Sequence, residues 1–101
     1  MTAITKNQCR ALVYHLFLLE GWLPAGTTPQ SWAQVTMGQM QFDDPPLPSE
    51  PHFQKKRLAL ELQAAFIRLG SSIPSPLAEL KNAAGTLGDL AVWCYQHQPS
   101  P

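Results

Sequence analysis

Glu50-Pro51-His52-Phe53-Gln54-Lys55-Lys56-Arg57-Leu58-Ala59-Leu60-Glu61-Leu62-Gln63-Ala64-Ala65-Phe66-Ile67-Arg68-Leu69 is the stretch that decides the fold. Ser49 precedes it as a helix cap. Pro51 falls in the first turn, where a missing N–H costs nothing. Gly70 follows as a left-handed stop. At about 100° per residue, Leu58, Leu62, Ala65, Phe66 and Leu69 form one apolar stripe, and Phe53, Leu60, Ala64 and Ile67 form a second on nearly the opposite side. Arg57, Glu61 and Arg68 occupy one edge between them, Lys56 and Gln63 the other. A helix apolar on two faces is either central in its domain or shared with a partner.

On the C-terminal side, Ile73-Pro74-Ser75-Pro76 predicts a short helix over about Pro76–Ala83 with Ser75 as its cap and Leu77 and Leu80 inward. Gly85 stops it. Thr86 and Asp89 form a capping box for a last helix that buries Leu87, Leu90, Ala91 and Cys94, with Trp93 and Tyr95 at the margins. On the N-terminal side, the pattern predicts a helix from Lys6 to Glu20. Thr5 and Gln8 box its start and Gly21 ends it. Its wide arc holds Cys9, Leu12, Val13, Leu16, Phe17 and Leu19. Thr28-Pro29 predicts one more short helix through about Gly38, burying Trp32 and Val35. No run alternates as a half-buried strand does. The expected fold is therefore all-α, a compact bundle of four to five short helices forming a single domain over 1–101. A proline-rich loop is expected at 41–51 and a frayed tail at 97–101. Leu16, Leu62, Phe66, Leu90 and Trp93 are expected in one buried cluster.

Composition bounds the function. The chain has 101 residues, 45% hydrophobic, with seven basic and seven acidic side chains. That apolar content supports a core, and the charge balance lacks the basic excess of a phosphate-binding surface. No apolar run nears the roughly 18 residues of a membrane span, and Met1-Thr2-Ala3-Ile4-Thr5-Lys6 lacks the layout of a secretory signal. The two cysteines, Cys9 and Cys94, lie on apolar helix faces, are expected to be buried and reduced, and match a cytoplasmic location.

The C-terminal half resembles acyl carrier proteins. In that family a second helix leads through an Ile-Pro turn to a short third helix, and a Thr-Val-Gly-Asp-Leu-like segment opens the fourth. Here the matching elements are the long helix, Ile73-Pro74, the short helix and Ala84-Gly85-Thr86-Leu87-Gly88-Asp89-Leu90-Ala91, over about Leu58–Gln96. The helix at Lys6–Glu20 and the long loop after it suit the same four-helix topology. The resemblance implies a phosphopantetheine-bearing serine, within Asp-Ser-Leu, at the start of the second helix. Counting back places it near His52 or Lys55, and neither is serine. Ser49 is the nearest, in Pro48-Ser49-Glu50. Family helices are acidic, whereas Lys55-Lys56-Arg57 is basic.

Catalytic and metal signatures are absent from the sequence. His15, His52 and His97 lack a recognised ligand spacing, and the i, i+3 pair of Cys94 and His97 alone does not complete a zinc site. Neither cysteine has a motif that would activate it. Asp43-Asp44 lies in the proline-rich loop and is read as a solvated acid pair. Pro45-Pro46-Leu47-Pro48 has the form of a ligand for proline-recognising domains and is read as a rigid spacer. The expectation is thus a non-enzymatic protein–protein interaction module, an adaptor, regulator or assembly subunit, without cofactor. Its docking residues are Phe53, Lys55, Lys56, Arg57, Leu60, Ala64 and Ile67. The expected partner is another protein with an acidic surface, or a second copy of the chain, with no nucleic acid or membrane. The alternative is an atypical acyl or peptidyl carrier modified at Ser49.

Overall fold

A computed structural model describes residues 4–40 and 53–99. The described chain is all-helical: α1 (Lys6–Glu20), α2 (Phe53–Arg68), α3 (Leu77–Lys81) and α4 (Leu87–Gln96), with 3-10 turns at Trp32–Gln34 and Met37–Gln39. The loop expected at 41–51, with Asp43, Asp44 and Ser49, lies outside the described residues, as do His52 and the side chain of Phe53.

Local rules set the helix ends. The Thr5 hydroxyl accepts from the Gln8 N–H at 3.2 Å, and the Gln8 carboxamide oxygen accepts from the Thr5 N–H at 2.9 Å. Thr86 and Asp89 repeat this reciprocal pairing at the start of α4. Gly21 closes α1 at φ 74° and Gly70 closes α2 at φ 82°, in the left-handed region that favours glycine. α3 departs from expectation. Pro76 occupies its cap position without a side-chain bond, and the helix ends at Lys81 rather than Ala83. Asn82 turns the chain by accepting the Ala84 N–H on its side chain.

The core is one cluster built on Cys9, Val13 and Phe17 of α1, Leu58, Leu62 and Phe66 of α2, Leu80 of α3, and Leu87, Leu90 and Cys94 of α4. Leu62, Phe66 and Leu90 are fully within it, as expected. Leu16 and Trp93 are only half-buried, packed against its margin. α1 packs chiefly on α4 and touches α2 little, so a narrow i, i+4 row is enough and the expected arc was too wide. Leu19, assigned to that arc, is 84% exposed. Leu69, assigned to the inner stripe of α2, is 55% exposed, because the helix ends one residue earlier and helical phase no longer applies.

The helix expected from Pro29 to Gly38 is replaced by a strap. Its two 3-10 turns are separated by extended residues at Val35 and Thr36. The strap's backbone bonds run across to the α3–α4 connection instead of along a helix. The Leu87 N–H donates to the Val35 carbonyl (2.9 Å), Met37 N–H to the Gly85 carbonyl (2.8 Å), and Gly38 N–H to the Ala83 carbonyl (3.0 Å). These bonds frame an isolated antiparallel bridge between Thr36 and Thr86. Trp32, Met37 and Met40 are buried beneath the strap. Arg10 lies over the Trp32 ring at 5.1 Å, and Tyr14 packs on it at 5.3 Å.

The approach leaves little room for a side chain at Gly38 and Gly88. A Cβ on Gly88 would stand 3.0 Å from the Ala33 carbonyl oxygen and 3.2 Å from the Ala33 Cβ. Gly88→Val is therefore expected to destabilise the protein by about 1–3 kcal/mol, the usual range for overpacking. For a domain of this size that is a fall in Tm of about 4–8 °C per kcal/mol. A thermal melt within 2 °C of the parent would show that the strap yields easily.

Gln98, near the end of the described residues, is held by hydrogen bonds. Its carboxamide accepts from the Ile4 N–H (2.8 Å) and the Ser71 hydroxyl (2.7 Å), and donates to the Ile4 carbonyl (2.9 Å). One side chain thereby holds Ile4, the turn after α2 and the end of α4 together. Ser71 is buried, and no buried side-chain polar atom among the described residues lacks a partner.

Candidate functional site

The outer face of α2 exposes two large apolar side chains. Leu58, Ala59, Leu62 and Phe66 turn inward. Opposite them, Leu60 is 67% and Ile67 65% exposed, with Ala64 half-buried between. Both large side chains lie at the helix phase expected for the second stripe. Among the described residues no element covers them.

The basic cluster does not present three equivalent charges. Arg57 is engaged within the chain. Its guanidinium donates to Glu20 at 2.7 Å, to Glu61 at 3.1 Å and to the Gln54 carboxamide at 3.0 Å. The same group lies 5.8 Å from the centre of the Trp22 ring, which meets Phe17 edge-on. The hydrogen bond from Arg57 to Glu20 holds the guanidinium's protons more tightly than usual. Glu61 goes the other way from a simple ion pair. Partial burial and the neighbouring Glu20 carboxylate push its pKa up, and Arg57 and Arg68 only partly offset them. Two carboxylates thus share one principal cation where the end of α1 meets α2. These groups are partly exposed, so each pair contributes about 0–1 kcal/mol. Lys55 is half-buried and Lys56 exposed.

The sequence places Arg57 and Glu61 on one edge of the helix at i, i+4 spacing, but it does not bring Glu20 and Trp22 to them. Glu20 is 37 positions from Arg57 and carries no local signal. Gln98 was missed for the same reason.

Other chemistry finds little support in the geometry. His97 stacks on Trp93 with ring centres 4.2 Å apart, and its Nδ1 lies 2.7 Å from the Trp93 carbonyl oxygen. His15 is exposed beside Tyr14. Among the described residues no three His, Cys, Asp or Glu side chains gather as metal ligands. Cys9 and Cys94 are unbridged and fully buried. Burial pushes the Cys9 thiol up to about 11 and the Cys94 thiol up to about 12, away from nucleophilic reactivity. An open depression of about 320 Å³ is lined by Pro24, Gly26, Thr27, Ser31, Gln34 and Gln39. Its hydroxyls bond locally, Thr27 to the Pro24 carbonyl and Ser31 to Thr28, so they do not converge on a ligand. No helix among the described residues is long and apolar enough to cross a membrane.

Comparison with protein-family models, with curated proteins and with solved structures finds no match to this chain.

Proposed function

We propose that this chain is a small non-enzymatic interaction module that docks another protein through the outer face of α2. The observation that carries this reading is the exposure of Leu60 and Ile67, at 67% and 65%, on a helix whose other face already supplies the core. Burying each side chain against a partner is worth roughly 1.5–3 kcal/mol. The rim of Lys56 and Arg68 supplies charge that steers encounter more than it adds affinity. Phe53 completes the proposed stripe, and Lys55 and Arg57 complete the basic cluster beside it. A reducing, cytoplasmic setting fits two unbridged, buried thiols.

The test is Leu60→Asp combined with Ile67→Asp. The expected result is a protein with unchanged circular dichroism and a Tm within a few degrees of the parent. A photo-reactive side chain placed at position 64 should then lose the cross-linked species that it gives on the parent background. Unfolding of the double variant would make the face part of the core and end this reading.

A carrier-protein reading has one supporting observation. A 15-residue helix, a long connector, a 16-residue helix, a five-residue helix and a last helix opened by Thr86-Leu87-Gly88-Asp89 follow the family's order. Its serine would be Ser49. Mass spectrometry after incubation with coenzyme A and a phosphopantetheinyl transferase decides it. A mass gain that Ser49→Ala abolishes supports a carrier, and an unchanged mass removes this reading.

A further inference from the structure

We propose that the partner on the outer face of α2 is a second copy of the same chain, packed α2 against α2 in antiparallel fashion about a two-fold axis at Ala64. This rests on the reading of that face as a docking surface and adds the identity of the occupant. The argument begins with spacing. Leu60 and Ile67 are seven residues apart, with Ala64 beside their midpoint. An antiparallel copy therefore sets each Leu60 against Ile67 of the other copy. It also brings the two Ala64 methyls together at the axis, where a small side chain lets the helices approach within the usual 8–10 Å or so. This is the self-complementary pairing that a two-fold interface requires.

Charge fits this direction. Glu61 and Arg68 lie on the same edge of α2, also seven residues apart, with opposite sign. Reversing one helix about the Ala64 axis brings Arg68 of the second copy within one residue of Glu61, about 1.5 Å along the helix. The contact forms twice. A parallel copy would instead turn this edge toward the Lys56 and Gln63 edge of the other copy, so that Glu61 and Arg68 no longer meet. Glu61 is accessible for this, with 36% of its side chain exposed, and Arg68 is exposed. Glu61 also belongs to the group in which two carboxylates share Arg57, so a further guanidinium meets a local excess of negative charge. The formal net charge of the chain is zero, which leaves no long-range repulsion between copies. A contact through one helix of 16 residues falls short of the roughly 1,000 Å² of a stable complex. The dimer is therefore weak, with a Kd on the order of 0.1 mM.

The experiment combines sedimentation with thiol cross-linking on the full chain. Sedimentation equilibrium from 10 μM to about 1 mM should show a reversible monomer–dimer equilibrium, and Arg68→Glu should weaken it at least tenfold, an expected change that circular dichroism must show leaves the fold intact. Under mild oxidation Ala64→Cys should give a covalent dimer. Ile67→Cys should not, because antiparallel copies hold the two positions about 10 Å apart along the helix, beyond disulfide reach. The parent, with both of its thiols buried, is the control. Linking at 67 as readily as at 64 would overturn the antiparallel arrangement, and a monomer throughout the concentration range would overturn the second copy as partner. In that last case, loss of the position-64 cross-link in Leu60→Asp with Ile67→Asp would still support docking on this face by a different protein. Unfolding of that variant would remove both proposals together.

Discussion

Phe66→Ala is expected to lower the stability of this protein by about 3–5 kcal/mol, whereas Leu60→Ala, less than two turns away on the same helix, is expected to change it by no more than about 0.5 kcal/mol. Phe66 has no exposed surface and belongs to the buried cluster with Leu62 of α2 and the inward residues of α1, α3 and α4. Its carbonyl also receives the N–H groups of Leu69 and Ser71, which turn the chain out of α2. Removing the ring leaves a cavity next to this turn, and the turn is held through Ser71 to Gln98. The lost transfer energy and the cavity term therefore add. Total stability for a domain of about 100 residues is only about 5–15 kcal/mol, so the variant should lie near the edge of folding. Leu60 is two-thirds exposed, and trimming it removes surface that faces water in the monomer. Urea titration of both variants checks the contrast, with the midpoint falling sharply for one and holding for the other. Similar losses at the two positions would mean that the outer face is covered within the monomer. The docking proposal would then fail for a physical reason.

The parts of the fold that were legible are those whose causes lie within four residues. The Thr5–Gln8 and Thr86–Asp89 boxes are i, i+3 pairs, and Gly21 and Gly70 end their helices by backbone freedom that no side-chain partner needs to supply. The two faces of α2 follow from the 3.6-residue period, which places Leu62 and Phe66 inward and Leu60 and Ile67 outward. The strap was not legible. Val35, Met37 and Gly38 find their backbone partners about 45–52 positions away, and those distant bonds override the helix signal of Thr28-Pro29. Leu19 was misplaced because apolar character alone does not say how many neighbours a helix has, and α1 leans almost wholly on α4. The site divides in the same way. Periodicity found the apolar stripe and the Arg57–Glu61 pair, while the tie from Arg57 to Glu20 depends on how the end of α1 approaches α2.

Raising the pH above 9 should weaken the fold through its two buried thiols. Cys9 and Cys94 have an ordinary pKa of 9.0, and in the folded protein burial raises them to about 11 and about 12. The folded state therefore keeps protons that the unfolded chain releases. Stability from this source is fully present below pH 9 and is lost as the pH climbs through 11 and 12. The slope approaches about 1.4 kcal/mol per pH unit for each thiol between those limits. The two effects are not independent, since the Cys9 charge itself contributes to raising Cys94. Comparing the parent with Cys9→Ala combined with Cys94→Ala separates the thiols from every other group that titrates in alkali. The alanines impose a packing cost, but that offset is the same at each pH, so only the thiols change the slope. The expected result is a parent whose unfolding free energy falls more steeply than that of the variant from pH 9 to 11, by up to about 4 kcal/mol over the interval. At pH 8 a thiol reagent should modify the folded parent far more slowly than the urea-unfolded chain, because both sulfurs are fully buried. Parallel pH curves, or prompt labelling of the folded protein, would mean that the thiols meet solvent and that the α1–α4 contact opens readily around Cys9 and Cys94.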